Sequence, residues 1–203
     1  MKFTKLPEGT FKEMQMNAGI LLDGFTPATG EIKNILGATS GGITFTAIPT
    51  YSDFGEDIDN CPTNMKELKN LNSWEAKMAG IFITVSTNLA KTLVSVADID
   101  SEDSTHVIPR NKLERTDFED IWWVGDYSDL NGEQNGGFCA VHLMNALSTG
   151  GFQIQSTDSG KGQFTFEFLG HYSLDNPEQV PFEIFVKTGE TEGISEVETI
   201  EGE

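Results

Sequence analysis

Residues 162–173 read GQFTFEFLGHYS. Phe164, Phe166 and Phe168 fall at every second position, with Thr165 and Glu167 between them. A period of two is the side-chain period of an extended strand, in which neighbours point to opposite faces. The stretch therefore predicts a half-buried strand with three phenylalanines on its core face. The same signal recurs on both sides of it. Residues 43–48, ITFTAI, set Ile43, Phe45 and Ala47 against Thr44, Thr46 and Ile48. Residues 74–86 set Ile81, Ile83 and Val85 against Phe82, Thr84 and Ser86. EDIWWVGDYS at 119–128 and PFEIFVK at 181–187 read as further strands, rich in β-branched and aromatic residues. FCAVHLMNAL at 138–147 fits helix or strand; the Gly150-Gly151 pair followed by FQIQ supplies a hairpin partner and favours strand. One amphipathic helix is expected over about 87–97, with Leu89, Leu93 and Val96 on one face and Thr87 as N-cap. These readings give a mainly β chain: an antiparallel β-sandwich or open barrel with one flanking α-helix.

Residues 1–16 read as an N-terminal arm, 17–189 as the β domain and 190–203 as an acidic C-terminal tail that hangs loose. A turn-rich stretch, DGFTPATGEIKN, covers 23–34, and polar connections are expected at 52–72 and 98–116. With 203 residues and 14 phenylalanines the chain can bury a real core. No run has the length of a membrane helix, and MKFTKLPEGTFKEM has no apolar stretch of the signal-peptide kind, so a cytosolic start is expected. Cys61 and Cys139 stand far apart and read as two free, partly buried thiols.

Several chemistries can be weighed residue by residue. GATSGGIT at 37–44 keeps the glycine spacing of a phosphate-binding loop, but Ile43 stands where its lysine belongs. Without that cation, and with a strand rather than a helix following, it reads as a glycine-rich turn entering a strand near Gly42. The carboxylates Asp53, Glu56, Asp57 and Asp59 could supply oxygens to calcium, yet they lack the EF-hand order; a solvated or interface loop is the simpler reading. His106, His142 and His171 are isolated, and no G-x-S-x-G elbow accompanies them. Trp122 and Trp123 must point to opposite faces of a strand, so one packs in the core and the other faces out or into a second layer. No catalytic residue, cofactor or metal is expected.

The formal net charge is −19. Proteins that wrap nucleic acid neutralise phosphates with Lys and Arg, and this chain has the opposite balance.

Taken in order, DFGEDIDN at 53–60, Trp74 with Gly80 six residues on, IWWVGDYSD, NALSTGGF, KGQFTFEFLGHYS and VPFEIFV resemble the major tail proteins of long-tailed, non-contractile phages and prophages of Gram-positive bacteria. The resemblance runs from about residue 10 to 187. It implies a β-sandwich with a flanking helix, hexameric rings stacked into a tail tube, and a loop between two early strands that reaches the adjacent ring. That loop would hold Asp53, Gly55, Glu56, Asp57, Asp59 and Asn60, and the outward tryptophan, Trp123, would join the interface candidates. The implied partners are further copies of the chain, a tape-measure protein and the tail initiator and terminator proteins. Viral DNA would pass through an acidic lumen without specific binding. The implied place is the virion tail, assembled in the host cytoplasm. Two other expectations stand beside this one: a carbohydrate-binding β-sandwich, and the tube protein of a contractile secretion device.

Overall fold

The computed structural model describes residues 5–7, 10, 13–127 and 137–188. Half of the N-terminal arm and all of the acidic C-terminal tail expected from the sequence lie outside these residues. The strands in chain order are β1 (Gln15–Leu22), β2 (Phe25–Thr26), β3 (Glu31–Ile32), β4 (Ile35–Gly37), β5 (Thr39–Asp53), β6 (Lys69–Phe82), β7 (Ala97–Ile99), β8 (Val107–Pro109), β9 (Glu119–Tyr127), β10 (Gly137–Ser148), β11 (Gln153–Gln155), β12 (Gln163–Leu169) and β13 (Phe182–Lys187). The helix α1 (Thr87–Val94) follows β6. Among the described residues the protein is mainly β with one α-helix, and its strand pairs are antiparallel.

One hydrogen-bonded path runs β4-β1-β9-β10-β12-β6-β5, with β13 beside β10 and β11 beside β12. It folds on itself where β10 meets β12 through only two pairs, Leu147 with Leu169 and Ser148 with Phe168. Two layers result. Leu21, Ile121, Val141 and Leu143 from one meet Met78, Phe82, Phe164, Phe166 and Phe168 from the other. All three phenylalanines of the opening stretch are buried. Phe166 lies between Phe82 and Phe168, with ring centroids 4.5 and 5.3 Å away. On β6 the buried set is Ala76, Met78 and Phe82, while Val85 lies beyond the strand and is exposed.

Leu89 and Leu93 of α1 enter the same core. The helix is shorter than its pattern suggested. Ser86, not Thr87, caps it, accepting from the Leu89 N–H at 3.2 Å. Ser95 ends it in the left-handed region at φ 66°, so Val96 falls outside the helix.

Three further boundaries differ from the sequence reading. Residues 15–22, assigned partly to an arm, form β1, which pairs with both β9 and β4. The GATSGGIT stretch is not a turn before a strand. Its strand begins at Thr39, and Gly41 and Gly42, at φ 79° and 84°, form a bulge inside it. Glycine is needed because an L side chain is strained at such angles. The connection at 98–116 contains the small β7–β8 hairpin and is pinned by Arg110, whose guanidinium meets Asp98, Glu114 and the buried Asp117.

A second, smaller core covers the outer face of the β1-β9-β10-β13 layer. Leu22, Phe25, Trp122 and Ala140 form it, with Val124, Phe138 and Phe185 packed alongside. The two tryptophans do point to opposite faces, but both faces are covered. Trp122 sits in the outer core, and Trp123 is half-buried against the main one.

Candidate assembly site

The connection expected at 52–72 is much shorter than it looked, because β5 runs on to Asp53 and β6 starts at Lys69. Together they make a long two-stranded arm. At its root Pro49 pairs with Trp74, and the Trp74 ring packs edge-on against Phe182 at 5.5 Å. Beyond this point residues 69–73 are all exposed, so the hairpin has left the body of the sandwich. Asn72 is the extra residue of a second bulge, between Thr50 and Tyr51, and its side-chain carbonyl accepts from the Ser52 hydroxyl at 2.8 Å. A bulge bends and twists a ribbon locally, so it sets the direction in which the arm leaves.

The tip, residues 54–68, is organised by Asp53. Its carboxylate accepts from the Gly55 N–H at 3.0 Å and the Asn64 N–H at 2.9 Å, and Lys69 Nζ lies 3.8 Å away. The bond from Gly55, then that from Asn64, hold the Asp53 carboxyl below its ordinary range, with Lys69 adding to the effect. One carboxylate thus ties both ends of the loop to the arm. Gly55 is buried under it; a β-carbon there would lie 2.8 Å from a Leu68 methyl and 3.1 Å from Cys61 Sγ. Asn60 and Asn64 take left-handed angles of 62° and 64°, which asparagine tolerates best after glycine.

The structure therefore divides the residues that the sequence grouped as interface candidates. Asp53 and Gly55 face inward and shape the loop. Glu56, Asp57, Asp59 and Asn60 are exposed on its surface. Trp123 belongs elsewhere, on β9, where its Nε1–H donates to the Ala18 carbonyl at 2.9 Å. Sequence reasoning missed the apolar side chains that share the arm. Tyr51 is 56% exposed, Phe54 65% and Ile58 54%, with Met65 and Leu71 also in solvent. Their signal was present: Phe54 and Ile58 stand among four carboxylates, where solubility alone calls for no apolar residue.

Other chemistries find little to work with. Among the described residues no three His, Cys, Asp or Glu side chains are gathered to share a metal ion. Cys61 and Cys139 are free and half-buried, and burial pushes the Cys139 thiol up. His142 stacks on Trp122, 3.9 Å between ring centroids and 7° from parallel, with Asp120 3.2 Å from Nε2 and Glu183 3.6 Å from Nδ1. The hydrogen bond from His142 is the main reason that the Asp120 carboxyl lies below its ordinary range. With its ring flat on Trp122 and a carboxylate beside each nitrogen, His142 packs on the outer core. Trp122, spent on this stack and 8% exposed, offers no face to a sugar ring.

No protein-family model matches this chain, and no curated protein matches it.

Proposed function

We infer that the protein is a structural subunit of a phage tail tube, forming hexameric rings that stack into a conduit for DNA. The observation that carries this reading is the β5–β6 arm: a hairpin held in one shape by Asp53, projecting from the sandwich and presenting apolar side chains with nothing to cover them. An arm of this kind is costly for a lone molecule and useful to one that repeats. Three further features support it. The fold is a two-layer β-sandwich with a single helix, as the resemblance to major tail proteins implies. Among the described residues β5 pairs only with β6 and β13 only with β10, so each of these strands keeps an edge that a neighbouring copy could cover. The net charge of −19 suits a wall past which DNA must slide without sticking. In this reading the partners are other copies of the chain, the tape-measure protein and the initiator and terminator of the tail, and the protein acts without enzymatic chemistry.

Negative-stain electron microscopy of the purified protein, across rising concentration and salt, tests it. Rings or hollow tubes are the expected result. Single particles under every condition would count against a self-assembling tube subunit.

A further inference from the structure

A second surface answers the arm. Beside the short helical turn at Arg115–Asp117 lies a depression of about 380 Å³, lined by Arg115, Phe118, Asn145, His171, Tyr172 and the turn that follows. It is built rather than accidental. Asn145 and His171 hold each other by two contacts, Asn145 Nδ2 donating to the His171 carbonyl and His171 Nδ1 meeting the Asn145 carbonyl, both 3.1 Å. Phe118 packs edge-on against the His171 ring at 5.2 Å. The Tyr172 hydroxyl accepts from the Trp74 N–H at 2.8 Å, which fixes the pocket to the root of the arm. Leu174, 92% exposed, stands on its rim.

The charge here is unusual for the molecule. The chain carries 32 acidic against 13 basic residues, yet Arg110, Lys112 and Arg115 fall within six positions. Arg110 is consumed by three carboxylates. Lys112 and Arg115 make no side-chain hydrogen bond or ion pair among the described residues. Asp175 is the one acidic residue in the lining, and it forms no ion pair with Arg115. An unpaired guanidinium beside two aromatic rings and an apolar rim fits an acidic segment that also carries apolar side chains.

The geometry points to the arm tip of a second copy of this chain as the occupant. The tip offers Glu56, Asp57 and Asp59, none paired among the described residues, next to the exposed Phe54 and Ile58. Charge and apolar character are complementary on the two surfaces. The contact is heterologous, tip into pocket, so it repeats from copy to copy instead of closing a symmetric pair. Each copy receives an arm at the root of its own. The five residue steps from Trp74 to Lys69 span roughly 17 Å before the tip begins, and this reach sets the scale of the step between copies. The inference rests on the tube reading and names the surface that the arm engages.

Two readouts on the full chain test it. In the first, p-benzoylphenylalanine replaces Ile58, the protein is concentrated under tube-forming conditions and irradiated, and cross-linked peptides are identified by mass spectrometry. Cross-links into residues 111–118 or 170–176 of another copy are expected. In the second, Arg115→Glu lowers tube yield at least about tenfold with an unchanged melting temperature, as loss of a partly desolvated charge pair implies. Asp57→Lys with Asp59→Lys also lowers it, and combining them with Arg115→Glu restores it. Tubes whose cross-links fall elsewhere, or that ignore Arg115→Glu, overturn the pocket and leave the tube reading standing. Absence of any oligomer at all concentrations overturns both.

Discussion

Gly80 on β6 and Phe166 on β12 are cross-strand partners, and the Phe166 ring lies over the glycine. A β-carbon built on Gly80 would sit 2.8 Å from Cζ of Phe166 and 3.2 Å from the Gly42 carbonyl. The ring cannot swing away, because Phe166 is 1% exposed and wedged between Phe82 and Phe168. Gly80→Ala therefore overpacks the core, a cost of about 1–3 kcal/mol. Gly80 is not at positive φ, so alanine also removes freedom from the unfolded chain, a gain of about 0.4–1 kcal/mol. The net expectation is a loss of about 0.5–2 kcal/mol. Phe166→Leu removes the ring tip and costs about 1–2 kcal/mol by itself, less than the 3–5 kcal/mol of a full truncation to alanine. In that background the clash with Cζ is gone, and the Gly42 carbonyl belongs to a bulge where the chain can shift by a few tenths of an ångström. Gly80→Ala should then turn neutral or stabilising, a coupling of about 1–2 kcal/mol between the sites. Urea unfolding of the four proteins reads this directly; with a slope of about 2 kcal/mol/M, the midpoint should fall by roughly 0.3–1 M for Gly80→Ala alone and not at all in the leucine background. Strictly additive midpoints would refute the argument that Phe166 is what forbids a side chain at residue 80.

Ser86→Ala should cost about 1 kcal/mol in the same assay, because the Leu89 N–H loses its acceptor, whereas Thr87→Ala should change little. Asp53 has a folded pKa below its ordinary 3.8, so the stabilisation that it gives the arm is present above that value and lost as pH falls below it; Asp53→Asn should flatten the acid limb of arm hydrogen exchange between Phe54 and Leu68. Asp57→Lys with Asp59→Lys should lower the number of tubes in micrographs while leaving the melting temperature within a few degrees, since both side chains are exposed. Assembly should rise as salt goes from about 0.01 to 0.15 M, because screening shortens the reach of like-charge repulsion from about 30 to 8 Å, and a fall over that range would show that ion pairs dominate the contact.

The strands of the phenylalanine-rich layer were legible because one face of each packs in the core and the other does not. Phe164, Phe166 and Phe168 announce themselves by period alone. β1 was not legible, because AGILL reads as a plain apolar run: Leu21 packs in the main core and Leu22 in the outer one, so both faces are buried and no alternation survives. The length of the arm was hidden for the opposite reason. Residues 69–73 have both faces in water, and a strand with no buried face looks like a loop. The acidic tip was read as the candidate site from its composition, but composition could not separate Asp53, which bonds inward, from Asp57 and Asp59, which do not. The pocket was illegible altogether. Its lining joins Arg115, Asn145 and Tyr172, which are distant in sequence and brought together by the pairing of β10 with β9 and with β12.

Two properties of the chain pull against each other, and their balance says something about how it must live. β5 has an open edge, and the usual guards are thin along it. Pro49 removes one donor and the Gly41-Gly42 bulge breaks the register near its start. Between them lies ITFTAI, residues 43–48, without a charge or a proline. Such a run on an exposed edge invites pairing with other chains. The net charge of −19 opposes that pairing at long range, and it weakens as salt screens it. A protein that had only to stay alone would gain from one lysine on that edge. Keeping the edge bare while charging the rest of the surface makes sense where association is required but must wait for the right neighbour. The proposed contact of the arm would work on the same terms: an apolar centre ringed by carboxylates is repelled at a distance and would adhere only where Arg115 of another copy comes within contact range.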